Sequence, residues 1–253
     1  MTTQFGQHES FIADLGSAIR SHKPLPAFPP GITLHQAYSI LPAVASLVCD
    51  DSRRGLKAGI TNPDLQALFG LDEPLLGLLY DWGECRPGSR LPYREHSQIE
   101  CELGIVLDAD GHPVSISPAI EFVHLNFQRQ EDFTPANIVV SSLGADRYLC
   151  GEPTPWSEVD FEALRDVVIR LERDGEVLQE VSAYDSLNGP ESALEWCVGE
   201  AKKRALDIVE GTLLLTGTCG SALPAGPGEY VADYGALGAV TFAVDALDEV
   251  MPG

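Results

Sequence analysis

Two glutamates interrupt a run that is otherwise apolar: Ile99-Glu100-Cys101-Glu102-Leu103-Gly104-Ile105-Val106-Leu107. A strand puts residues i and i+2 on the same face, so both carboxylates leave this segment in one direction. Like charges that close repel, and burial strips their hydration, so the pair must hold protons or recruit a cation. A divalent ion resolves both problems. A third oxygen donor stands in the next apolar run, Glu121 in Pro118-Ala119-Ile120-Glu121-Phe122-Val123. Three carboxylates with no thiolate or imidazole among them favour a hard ion, Mg2+ or Mn2+, over Zn2+. The competing reading is an edge strand with a wet outer face, along which glutamates alternate into solvent.

Lysine is scarce, with only Lys23, Lys57, Lys202 and Lys203. Lys202 and Lys203 adjoin Arg204 on a helical stretch and fit a solvated face, while Lys23 sits in a proline-rich connector. Lys57 differs, flanked by small and apolar residues in Gly55-Leu56-Lys57-Ala58-Gly59-Ile60-Thr61. Such neighbours leave an ammonium short of water unless an anion pairs with it. The alternative is a lysine that snorkels from a surface strand.

These residues need elements to position them. Helical spacing over Phe11 to Ile19 and a second helix from the Thr33 cap to Val48 predict a helical N-terminal region, 1–50. Pro42 falls inside the second helix. A short strand around 55–60 and a helix over 65–69, capped by Asn62-Pro63-Asp64, open the remainder, 51–253. From Ile99 the pattern is mostly β, with strands near 99–107, 118–123, 138–140, 166–173 and 176–183. The last two are joined as a hairpin by Asp174-Gly175. A helix is predicted over 190–208, and strands return at 212–216, 229–233 and 239–244. The fold class is α+β.

The 253 residues suffice for a substantial core, and the net charge of −22 disfavours nucleic acid and anionic membranes as partners. The six cysteines show no C-x-x-C spacing, which speaks against zinc-ribbon and thioredoxin-like chemistry. Met1 to His8 lacks the basic and apolar pattern of a secretory signal, and no run approaches a membrane span, so a cytoplasmic protein is expected.

Residues 55–74, Gly-Leu-Lys-Ala-Gly-Ile-Thr-Asn-Pro-Asp-Leu-Gln-Ala-Leu-Phe-Gly-Leu-Asp-Glu-Pro, resemble the glycine-lysine-glycine segment of the fumarylacetoacetate hydrolase superfamily. The branch most similar holds 2-keto-4-pentenoate hydratases and 4-oxalocrotonate decarboxylases. Gly77-Leu78-Leu79-Tyr80-Asp81 continues the match. The Glu100-Cys101-Glu102 and Glu121 strands follow in the same order, as do Leu215-Thr216-Gly217-Thr218 and Ala232-Asp233-Tyr234-Gly235. The resemblance covers nearly the whole chain and implies a mixed β-sheet roll with a small helical N-terminal part.

It further implies Mg2+ or Mn2+ on Glu100, Glu102 and Glu121, with Lys57 beside a bound 2-oxo acid and Asp81 near the pocket. Thr218 and Cys219 stand where the family often places small hydroxyl residues near substrate. The implied activity is a lyase that hydrates a 2-oxo or 2-hydroxy-dienoate acid through a metal-stabilised enolate. Decarboxylation of a 2-oxo-enedioate, or C–C hydrolysis of an acylpyruvate, are the neighbouring reactions. The branch also implies a homo-oligomer.

Two stretches depart from its pattern. Val123-His124-Leu125-Asn126-Phe127 replaces an Asp-Ser-Arg stretch, and Val140-Ser141-Ser142-Leu143-Gly144 replaces an Ala-Asp-Asn-Ala-Ser segment. His124 is therefore a candidate substitute for a lost pocket group, set against a structural histidine. The altered segment also motivates a reading from another class, a non-catalytic member that serves as a binding or assembly partner.

Overall fold

The computed structural model describes residues 9–49 and 53–246, with the side chains of 53 and 54 left out; the reading of Met1 to His8 lies outside these residues. Helix α1 (Glu9–Arg20) buries Phe11, Ile12, Leu15 and Ala18 along one stripe. Helix α2 (Leu34–Val48) starts at a reciprocal cap. Thr33 Oγ1 accepts from the Gln36 backbone N–H, and Gln36 Oε1 accepts from Thr33 N–H at 2.9 Å.

After β1 (Arg53–Gly59), α3 (Pro63–Phe69) and β2 (Leu75–Tyr80), two short strands follow, β3 (Glu84–Cys85) and β4 (Arg90–Pro92). The long hairpin β5 (Ser97–Leu107) and β6 (Pro113–His124) leads into α4 (Pro135–Val140), β7 (Ala145–Cys150), β8 (Thr154–Pro155) and α5 (Phe161–Arg165). The chain continues through β9 (Val168–Arg173), β10 (Glu176–Ser182), α6 (Pro190–Lys203), β11 (Thr212–Leu215), β12 (Cys219–Pro224), β13 (Gly228–Asp233) and β14 (Ala239–Asp245).

The larger sheet runs β2-β1-β11-β5-β6-β7-β3, with β12 also on β5 and β8 on β6. It is mixed: β1 pairs with β11 in parallel, whereas β5 and β6 pair antiparallel. The second sheet runs β10-β9-β13-β14-β4. Two strands, β11 and β5, separate β1 from β6, a span of roughly 14 Å on a flat sheet. Lys57 on β1 nevertheless contacts Glu121 on β6, and Leu79, Ala119, Tyr148 and Leu215 from four strands form one cluster. The sheet is therefore curled, and these residues share its concave face. Apolar residues of α1 and α2 belong to the same core as those of the strands, so the N-terminal helices and the body share one core.

Two expectations change. The run expected as a strand at 138–140 is the end of α4. Thr134 caps that helix by accepting from Asn137 N–H, and Pro135 fits its first turn, so local start signals override three β-branched residues. The helix expected to reach Ile208 stops at Lys203, and Ala205 adopts a left-handed φ of 54° just beyond. The Asp174-Gly175 hairpin has φ of 51° and 82°, the handedness that a two-residue turn requires.

Candidate metal centre and binding cleft

The β5–β6 register builds the centre. Glu100 lies directly opposite Glu121, and Glu102 follows two residues along on the same face, opposite Ala119. One carboxylate oxygen from each of Glu100, Glu102 and Glu121 falls within 4.8 Å of the others. Glu102 and Glu121 are fully buried, and Glu100 borders the adjoining cleft.

Each buried carboxylate has one oxygen spoken for. Glu102 Oε2 accepts from the Gly217 backbone N–H at 2.7 Å, and Glu121 Oε1 is held by the ammonium of Lys57. Glu102 Oε1 and Glu121 Oε2 are buried with no hydrogen-bond partner. Orphaned buried acceptors cost about 1–3 kcal/mol each, more when charged, unless something fills the space between them. Burial pushes the Glu102 carboxyl well up, reinforced by the charges of Glu121 and Glu100. Burial likewise lifts Glu121 to about 7, opposed by Lys57. A hard divalent cation fits this donor set: all ligand atoms are oxygen, two are unpaired, and the site is starved of positive charge.

Local packing explains how the sequence achieves this. Gly217 has φ of 90°, and a Cβ there would lie 2.5 Å from Thr61 Cγ2, so only glycine can aim that N–H at Glu102. Lys57 is 1% exposed and also donates to the Leu143 carbonyl at 3.3 Å. That carbonyl is presented by three consecutive left-handed residues, Ser142, Leu143 and Gly144. Ser142 Oγ anchors the turn by exchanging hydrogen bonds with the backbone of Leu78, both at 2.8 Å. A Cβ on Gly59 would meet Leu143 Cδ2 at 2.4 Å, so the second glycine of the glycine-lysine-glycine segment makes room for the turn.

A cleft of about 670 Å3 opens above the centre. Lys57, Glu100 and Thr218 line it, together with Gln98, Ser221, Asn62 and Asp64 and a set of apolar side chains from α3, β6 and α4. The structure thus brings together five of the eight residues singled out in the sequence: Lys57, Glu100, Glu102, Glu121 and Thr218.

The other three, Asp81, His124 and Cys219, do not line the cleft, which corrects the expectation for them. Asp81 follows β2 at the end remote from Gly77, the partner of Lys57, and is absent from the cleft lining. Its Oδ1 accepts from Trp82 N–H at 2.9 Å and from Cys49 Sγ at 3.4 Å. His124 occupies the opposite face of β6 from Glu121, because an odd separation along a strand reverses the side chain. Its Nε2 lies 3.2 Å from the Glu95 carbonyl, beside a cavity of about 10 Å3 bordered by His22 and Asp146. Burial holds its imidazole below the usual value. Cys219 is buried and does not line the cleft; Thr218 beside it does. Sequence reasoning missed Leu143 and Gly217, which act through backbone atoms and carry no side-chain signal.

No family model matches the chain. Curated relatives do. The 4-oxalocrotonate decarboxylase of Pseudomonas putida is 25% identical over 203 residues, 74% of this chain and 75% of the relative. The 2-oxo-hept-4-ene-1,7-dioate hydratase of Escherichia coli is 25% identical over 235 residues, 84% of this chain and 87% of the relative. Among solved structures, 4-oxalocrotonate decarboxylase from Pseudomonas putida G7, complexed with magnesium and adipate, superposes with a TM-score of 0.85. That match is 22% identical and covers 96% of this chain and 99% of the other. The fold is shared with that decarboxylase and, at a TM-score of 0.56, with a fumarylacetoacetate hydrolase family protein from Yersinia pestis. The sequence resemblance to these decarboxylases and hydratases holds over most of the chain.

Proposed function

We propose that this chain is a divalent-metal-dependent lyase that hydrates a 2-oxo or 2-hydroxy-dienoate acid. The observation that carries the reading is the convergence of three carboxylates, two with unpaired buried oxygens, beneath a cleft that also contains the buried Lys57. Glu100, Glu102 and Glu121 would hold the ion, Mg2+ or Mn2+. When bound, that ion supplies Lewis-acid polarisation of the substrate's keto group and offsets the negative charge that develops on its oxygen.

The chain's own residues do the rest. Lys57 has three N–H donors; Glu121 and the Leu143 carbonyl engage two, and the third is available to a substrate carboxylate or to a proton transfer at the reacting carbon. The rigid left-handed turn at 142–144 fixes the ammonium, so its donor is oriented before substrate arrives. Thr218, Gln98 and Ser221 offer neutral hydrogen-bonding groups for an incoming water or for the new hydroxyl. Apolar walls keep bulk solvent away from the electrostatic groups and so strengthen them.

Decarboxylation of a 2-oxo-enedioate is the second reading, supported by the P. putida relatives and sharing every one of these groups. Acylpyruvate hydrolysis is less well supported, because His124 faces away from the cleft. The non-catalytic reading conflicts with the buried Lys57 and two orphaned carboxylate oxygens, which destabilise a fold that makes no use of them. A Mg2+-dependent turnover assay on 2-hydroxy-dienoates and 2-oxo-enedioates separates the readings. Hydrated product supports the first, released CO2 the second, and metal-independent or absent turnover defeats both.

We further propose a cytoplasmic homo-oligomer. No helix among the described residues is long and apolar enough to cross a membrane. Val168, Val177 and Val231 of the second sheet are exposed large apolar residues, which supports burial against another copy. Static light scattering that returns the monomer mass at all concentrations overturns the assembly.

A further inference from the structure

We propose that the cleft selects a 2-oxo monocarboxylate with an uncharged, apolar tail over a dicarboxylate of the same length. The inference rests on the reading of this site as a 2-oxo acid site and names which acids it takes. Its basis is the asymmetry of the lining. Lys57 is the only cation among the described residues that line the cleft, and it is already committed to the floor through Glu121. The remaining charged lining residues, Asp64 and Glu100, are acids.

One wall of the cleft is apolar: Leu65, Leu68 and Phe69 from α3, Leu125 just after β6, Phe133, and Ile138 of α4. Phe69 and Phe133 pack ring to ring at 5.6 Å, and Phe127 supports Phe133 at the same separation. That wall is held from behind by a contact between Phe127 and Phe28 at 5.4 Å. Leu68 and Phe133 remain 77% and 46% exposed, which leaves apolar surface at the mouth for a ligand to cover.

Charge accounting points the same way. Three carboxylates, one ammonium and one divalent ion cancel, so the first substrate carboxylate already makes the occupied site anionic. A second carboxylate would lose hydration beside Phe69, Phe133 and Leu68, with no further cation among the described lining residues to pair with and with Asp64 among them. A hydrocarbon tail in the same place gains from burial. The cleft of about 670 Å3 exceeds the needs of a 2-oxo-carboxylate head and accommodates a tail of several carbons.

The test measures binding, which does not depend on turnover. The Mg2+-loaded protein is titrated calorimetrically with 2-oxohexanoate and with 2-oxoadipate, which match in chain length and differ in the terminal carboxylate. We expect 2-oxohexanoate to bind at least tenfold more tightly. Equal affinity, or preference for 2-oxoadipate, overturns the inference while leaving the 2-oxo acid site standing. Failure of both to bind overturns the site reading itself and this inference with it. Leu68→Arg, at an exposed position that tolerates the change, places a cation in the apolar wall. It should narrow the ratio by about tenfold; an unchanged ratio would show that the tail does not run along α3 and would overturn the assignment.

Discussion

The hairpin of β5 and β6 carries two trios of potential metal ligands, one near its base and one at its turn. Glu100, Glu102 and Glu121 form the first; Asp108, Asp110 and His112 form the second, and both converge within 4.8 Å. They differ in what their oxygens are already doing. At the turn, Asp108 Oδ1 accepts from the backbone N–H groups of Asp110 and His112 at 2.9 and 2.8 Å, and Oδ2 lies 3.3 Å from His112 Nδ1. Those bonds, the one from His112 N–H foremost, hold the Asp108 carboxyl below its usual value. At the base, two carboxylate oxygens are buried without partners, and the Glu102 and Glu121 carboxyls are pushed up. One trio uses its charge to close a turn in water, and the other holds more negative charge than its one cationic partner, Lys57, can neutralise. Ligand spacing is common to both; unsatisfied burial is what distinguishes a candidate metal centre.

The largest contrast should come from parallel substitutions. Glu102→Gln removes an anionic ligand from the base and should weaken Mn2+ affinity about 100-fold or more, with turnover falling alongside it, as followed by calorimetry and rate assays. Comparable affinity in the variant would erase the distinction. Lys57→Met sharpens it further by separating ligand from partner. Turnover should drop by about 100-fold or more while ion affinity holds or rises, since one cation is removed beside another. Full activity would make Lys57 a structural residue.

A smaller effect concerns pH. In the ion-free protein Glu121 titrates at about 7, above its ordinary 4.5, so the folded state binds more protons than the unfolded state between those values. Its raised pKa therefore favours the fold at low pH, and that advantage is lost as pH rises through this window. A divalent ion competes with the proton, so the gain in Tm on adding Mg2+ should grow from pH 5.5 to pH 8 in thermal melts. A gain independent of pH would place the ion elsewhere. Asp108, with its pKa lowered from 3.8, acts oppositely: its contribution is present above that value and lost as pH falls through the depressed one. Asp108→Asn should change Mn2+ affinity less than twofold, the smallest effect of the series.

Much of the centre is legible in the amino-acid sequence. Alternation along Ile99 to Leu103 puts Glu100 and Glu102 on one face, but the alternation fits a wet face as well as a buried one. The Thr33 cap, the Asp174-Gly175 turn and the Lys57 environment also carry local signals strong enough to survive folding. The curl of the sheet has no local signal, because Lys57 meets Glu121 across two intervening strands and 64 positions of sequence. The departure from the family pattern at 123–127 suggests His124 as a substitute pocket group, although its odd separation from Glu121 already puts it on the other face. Asp81 follows from the family resemblance, whereas β2 runs antiparallel to β1 and carries it away from Lys57. Gly217 and Leu143 contribute through a backbone N–H and a carbonyl, and nearly any residue possesses those. Their importance lies in left-handed conformations that only the assembled packing imposes.

The central claim is that Glu100, Glu102 and Glu121 share one divalent cation, and anomalous scattering from crystals grown with Mn2+ tests it most directly. The account predicts a peak bounded by these three carboxylates, with oxygens at roughly 2.0–2.2 Å in an octahedral arrangement. A peak at Asp108, Asp110 and His112 with none between Glu102 and Glu121 would contradict it.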